Sequence, residues 1–142
     1  MKKTGILNAQ LAGELTKLRH QDRFVICDMG YPIPAGANWV DVSLIAGVPT
    51  FMQVLRAVLR EMVVEEYTIF DDMEEYNPEV YREVATLLCK QPQNRMPMED
   101  FVEASKKAKL FIRTGEFLPC SNIILTSASG VQDAVDEFNI DC

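Results

Sequence analysis

Histidine is nearly absent from this chain, with one in 142 residues, and the four cysteines, Cys27, Cys89, Cys120 and Cys142, are scattered with no Cys-x-x-Cys pair. That pattern offers no zinc site, and with Cys27 and Cys89 in apolar surroundings it predicts free thiols serving as small core residues. No Gly-x-Gly-x-x-Gly follows the first apolar run, and there is no Walker loop and no Gly-x-Ser-x-Gly elbow, so the usual nucleotide and serine-hydrolase signatures are missing. Basic residues are in deficit: 14 against 21 acidic ones give a formal charge of −7. This argues against a nucleic-acid partner or an anionic membrane surface, since both need a basic footprint. No apolar run is long enough to span a bilayer. Beyond the basic start, Asn8, Gln10, Glu14 and Lys17 break up the chain, so no apolar region of signal-peptide length forms, and the expectation is a cytoplasmic protein. Internal repeats and low-complexity segments are also lacking.

What remains is 48% hydrophobic, enough for a single globular domain with its own core. The stretch from Arg19 to Pro34 organises it. It holds the lone histidine, His20, then the apolar run Phe24 to Cys27, then Asp28 where that run stops, then a turn built from Gly30, Pro32 and Pro34. Consecutive apolar residues bounded by charge read as a buried strand. Asp28 then stands at a strand's carboxyl end, where open α/β sheets bind their ligands.

Along the chain, Asn8 caps a helix predicted to run to about Arg19, through Leu11, Leu15 and Leu18, which delivers His20 to its C-terminal end. Asn38 to Leu44 alternates as a second strand. Thr50 caps the clearest helix, with Phe51, Val54, Leu55, Val58, Leu59 and Met62 on one face. Val64 to Phe70 is a third strand, and Asn77-Pro78-Glu79 reads as cap, first-turn proline and acid at the start of another helix. Lys90 to Met98 offers neither period and reads as a loop. The next helix runs from Glu99 to about Lys107, then come strands at Leu110–Ile112 and Asn122–Leu125 separated by a turn at Thr114–Glu116. Residues 128–142 read as an acidic tail or a short closing helix. Alternating strands and helices predict an α/β fold in three layers, a largely parallel sheet with helices on both faces.

Each candidate functional residue has a plainer alternative. His20 is either a proton carrier or a helix-terminal histidine favoured by the dipole. Asp28 is either a ligand group or a turn-forming acid that bonds the backbone ahead of Gly30. Asp71-Asp72 with Glu74-Glu75 reads as a solvated loop rather than a divalent-ion site. Tyr31 and Trp39 read as packing rather than a stacking platform. Cys120 has no second histidine to activate it as a nucleophile.

Several segments, collinear from residue 1 to about 126, resemble the D-ribose pyranase and L-fucose mutarotase family, nearer its ribose branch. They include Leu18, His20 and Asp22; Val25, Cys27, Asp28, Gly30 and Pro32-Ile33-Pro34; and Gly47-Val48-Pro49 with Phe51 to Leu55. Others are Glu61-Met62, Val64-Glu65, Asn77-Pro78, Ile112-Arg113, Gly115-Glu116 and Asn122 to Leu125. The resemblance implies a cytoplasmic, cofactor-free isomerase that interconverts ring forms or anomers of a free monosaccharide, assembled as a homodecamer. His20 would be the proton donor and Asp28 a binder of sugar hydroxyls. A Tyr-small-Asn segment of the family falls on Cys120-Ser121-Asn122, with the asparagine kept and the tyrosine replaced. A family basic position falls on Met98, and the apolar strand expected before it is missing from Gln91 to Pro97; Arg95 is the nearby cation that would compensate. The substrate-binding set implied is Asp28, Met98, Cys120, Ser121 and Asn122, with no metal or cofactor residues. A non-catalytic sugar-binding or transport-accessory module of the same fold is the alternative, motivated by Met98 and Cys120.

Such chemistry needs little equipment. Ring opening takes a proton from the anomeric hydroxyl and gives one to the ring oxygen, and an imidazole with an ordinary pKa near ~6.5 can do either. Geometry adds a constraint, because eight strand steps at ~3.3 Å put His20 and Asp28 up to about 26 Å apart in one chain. Either Gln21 to Arg23 folds back, or the two meet only where neighbouring subunits do. The shared site is the favoured expectation.

Overall fold

The computed structural model describes residues 1–129. Helix α1 spans Ala9–Leu15, strand β1 Arg23–Cys27, β2 Trp39–Asp41, α2 Phe51–Leu59, β3 Val64–Phe70 and α3 Met73–Tyr76. Next along the chain are α4 at Pro78–Leu87, β4 at Gln93–Met96, α5 at Met98–Ser105, β5 at Leu110–Arg113 and β6 at Ile123–Ser127. Local chemistry accounts for the helix starts. Asn8 Oδ1 accepts from Leu11 N at 2.9 Å. Thr50 and Gln53 form a reciprocal capping box, with Gln53 N donating to Thr50 Oγ1 at 3.2 Å and Thr50 N to Gln53 Oε1 at 2.9 Å. The apolar stripe of α2 is buried as its spacing demands.

The strands form one sheet in the order β2-β5-β1-β6-β3-β4. β1 pairs parallel with β5, β5 with β2, and β3 with β4, whereas β6 runs antiparallel to both β1 and β3. The expected α/β sheet with helices is therefore mixed, with β6 its one reversed strand. The cause is loop length: the chain between Arg113 and Ile123 is shorter than the crossover of about a dozen residues that a parallel return needs. It stays at the carboxyl end of β5, passes over the end of β1 and enters β6 from there. Central β1 is fully buried from Phe24 to Cys27. α2 and α5 both pack on it, and Phe101 of α5 lies 4.2 Å from the Phe70 ring, centroid to centroid.

Four expectations need correction. The segment read as a loop before Met98 contains β4, an edge strand paired only with β3. Its polar residues gave no period because an edge strand need bury no apolar face; Gln93 Nε2 donates to Tyr67 Oη at 2.7 Å and Asn94 Nδ2 to Glu66 Oε2 at 3.3 Å. α1 stops at Leu15 rather than near Arg19, so His20 sits in a turn and not on a helix end. That turn is closed by Asp22, whose carboxylate accepts from Arg19 N at 2.7 Å, and it includes Gln21 at φ 67°. Asn77 makes no side-chain cap on α4. Cys89 is exposed, because α4 has already ended at Leu87. The tail reading, beyond its first two residues, lies outside the described residues.

Candidate active site

The turn after β1 and the loop entering β6 meet over the carboxyl end of the sheet and line a cavity of about 570 Å³. Its polar heart is a reciprocal pair. Asp28 N donates to Asn122 Oδ1 at 2.9 Å, and Asn122 Nδ2 donates to Asp28 Oδ2 at 2.8 Å. Gly30 N donates to Asp28 Oδ1 at 3.0 Å, so the turn-forming and site-forming readings of Asp28 describe the same side chain. Burial raises the Asp28 carboxyl above the ordinary range, and the Glu116 charge adds to that; the bonds from Asn122, Gly30 and Tyr31 offset it in part. Each carboxylate oxygen keeps acceptor capacity for a ligand hydroxyl.

The β6 loop is held by groups that no local sequence signal announced. Glu116, although buried, accepts from Phe51 N at 3.2 Å through Oε2 and from Phe117 N and Leu118 N, both at 3.0 Å, through Oε1. Thr114 Oγ1 donates to Cys27 O at 2.9 Å. Gly115 lies so close to Val48 that a Cβ would stand 2.4 Å from the Val48 carbonyl oxygen. Asn77, freed from capping, reaches across to donate to Pro119 O at 3.2 Å and Ser121 Oγ at 3.0 Å. Ser121 is thus a fully buried strut behind the wall, and its side chain does not line the cavity.

Met98 at the start of α5 and Cys120 do line it, with Phe70, Val102, Phe117 and Pro119. Cys120 is buried at φ 61°, and burial, then the Asp72 and Asp28 charges, push its thiol pKa up. Arg95 does not turn in to compensate for Met98. Its guanidinium donates to Gln93 Oε1 and Glu74 Oε2, both at 2.9 Å, touches Tyr81 Oη and lies over the Tyr81 ring. Tyr31 packs as read, edge-on to Phe101, with its hydroxyl 2.7 Å from Ser105 Oγ and its pKa pushed up to about 12 by burial.

His20 is elsewhere. Gln21 N donates to Ser127 O at 2.8 Å and Ser127 N to Asp22 O at 2.9 Å, which pins the turn to the far end of β6, at the amino end of β1. The segment does not fold back toward Asp28. His20 Nε2 lies 3.0 Å from Glu65 Oε2, and both side chains face solvent in part. Among the described residues no cluster of three or more His, Cys, Asp or Glu is arranged to hold a metal ion, and no helix is long and apolar enough to cross a membrane.

Fold and cavity together define an α/β domain with a small-molecule-sized site at the carboxyl end of its sheet. The sequence matches the RbsD / FucU transport protein family over residues 1–131, and the chain belongs to that family. It is similar to the D-ribose pyranase of Geobacillus thermodenitrificans, 43% identical over 127 residues that cover 89% of this chain and 96% of that protein. The D-ribose pyranase of Geobacillus kaustophilus is 41% identical over 138 residues, 97% of this chain and all of that one. The structure of Bacillus subtilis RbsD complexed with D-ribose matches with a TM-score of 0.86 at 38% identity, covering 90% of this chain and 98% of that one.

Proposed function

We propose that this chain is a cofactor-independent monosaccharide mutarotase, an isomerase that interconverts pyranose and furanose forms or anomers of a free sugar such as D-ribose. The observation that carries the reading is the interlocked Asp28–Asn122 pair in the strand-end cavity, in a chain 43% identical to a D-ribose pyranase. A carboxylate with acceptor capacity beside a carboxamide suits adjacent sugar hydroxyls, one donating and one accepting. In the reaction the anomeric hydroxyl gives up its proton, the ring oxygen gains one, the C1–ring-oxygen bond breaks, and closure reverses these steps. His20 of a neighbouring copy is the proton carrier in this reading, since within one chain it stands at the opposite end of β1 from Asp28. Glu65 would orient that imidazole through Nε2. A ring-like homodecamer working in the cytoplasm completes the proposal and rests on family likeness alone.

Magnetisation-exchange NMR on D-ribose at equilibrium tests it, with wild type and His20→Ala at equal concentration. Acceleration of ring-form or anomer exchange by wild type, and its fall by roughly 10²–10⁴-fold in the variant, is expected for a lost general acid–base. The second reading, a sugar-binding or transport-accessory module, is favoured by the absence of a strong donor at Met98 and Cys120. Sugar binding without faster exchange would establish it instead.

A further inference from the structure

The polar groups of the cavity are confined to one side. In the strand order, Asp28 follows β1 and Asn122 precedes the adjacent β6, whereas Phe70 ends β3 and Met98 follows edge strand β4. With strands ~4.8 Å apart, β4 lies roughly 10 Å from β6, about the length of one sugar and its substituent. The other acid on the cavity, Glu116, has both oxygens taken by backbone N–H groups. Asp28 is thus the titratable carboxylate with capacity to spare, and ring-opening chemistry belongs beside it. The opposite wall, Phe70, Met98, Val102, Pro119 and Cys120, offers no donor stronger than a thiol, and Arg95 is engaged outside the cavity. A sugar hydroxyl pressed against that wall loses its water partners and gains none, whereas a methyl group gains contact.

We propose that the β3–β4 wall of this cavity selects a deoxy sugar, one whose carbon farthest from the anomeric centre carries a methyl group where D-ribose carries a hydroxymethyl. This rests on the mutarotase reading above. For a 5-deoxy pentose the reaction is confined to furanose anomers, because no 5-hydroxyl remains to close a pyranose. The C1–O4 bond breaks as the anomeric hydroxyl loses its proton and O4 gains one, and O4 then adds to the other face of C1.

The test compares exchange of 5-deoxy-D-ribose and D-ribose by NMR, each rate taken on the same sample of wild type and of the Met98→His/Cys120→Tyr double variant. A ratio within one sample is unaffected by partial loss of folded protein. Wild type is expected to favour the deoxy sugar by at least about tenfold, and the variant, with donors restored to the wall, to lose or reverse that preference. Equal or faster exchange of D-ribose by wild type overturns the inference, as does a ratio unchanged in the variant. If neither sugar exchanges faster than in buffer, the mutarotase reading fails by itself. Competition of the two sugars for the protein in saturation-transfer NMR then decides the inference, by the same ratio; binding of neither overturns both.

Discussion

Asp28 combines two demands that oppose each other, charge for binding and burial for enclosure. Because burial holds its carboxyl above the ordinary value, the folded chain takes up this proton more readily than the unfolded chain does. The stability tied to that proton is fully present below the unfolded pKa of ~3.9 and is lost as pH rises through the higher folded value. Asparagine at this position carries no such titration. Stability of Asp28→Asn relative to wild type should therefore improve from acid toward neutral pH, read as denaturation midpoints across that range. A gap that narrows instead would mean that the bonds from Asn122, Gly30 and Tyr31 outweigh desolvation.

At the scale of elements, the site depends on how α2 and the β6 loop are joined. Gly47 N donates to Gly115 O at 2.7 Å and Gly115 N to Pro49 O at 2.9 Å, so two separate motifs of the sequence resemblance are one contact in space. Glu116 then ties the loop to the first residue of α2. Thr50→Ala, which removes only the cap, should cost about 1 kcal/mol in denaturant unfolding. Gly115→Ala must displace the Val48 backbone and should cost roughly 1–3 kcal/mol, with a larger loss of sugar exchange than Thr50→Ala causes, because it moves the loop carrying Cys120 and Asn122.

At the scale of the whole molecule, His20 and Asp28 occupy opposite ends of the sheet, and one copy cannot bring them to one sugar. Mixing inactive His20→Ala with inactive Asp28→Ala subunits, dissociated and reassembled together in equal amounts, should restore about one site in four if each site takes one residue from each of two copies. A site lying inside a single chain would recover nothing. The exposed apolar residues Leu44, Ile45 and Val48, on the tip that precedes α2, leave surface for such a neighbour to cover.

By itself the sequence determined what is local or repeated at a fixed period. The capping box at Thr50, the stripe of α2, the buried run of β1 and Asp28 at its end are each written within a few adjacent residues, and the collinear motifs sufficed to place the chain in its family. Tertiary structure decided what depends on partners far along the chain. The edge position of β4 let Gln93, Asn94 and Arg95 form a strand with no apolar period, and the short Arg113–Ile123 connection reversed β6. Asn77 looked like a cap, yet its amide was drawn to Pro119 and Ser121, since a buried carbonyl and hydroxyl needed a donor more than an accessible helix end did. Ser121 became a strut for the same reason, and Arg95 was claimed by Glu74 and Tyr81. The separation of His20 from Asp28 was legible as a strand length, but only the bonds between Gln21, Asp22 and Ser127 showed that the chain does not double back.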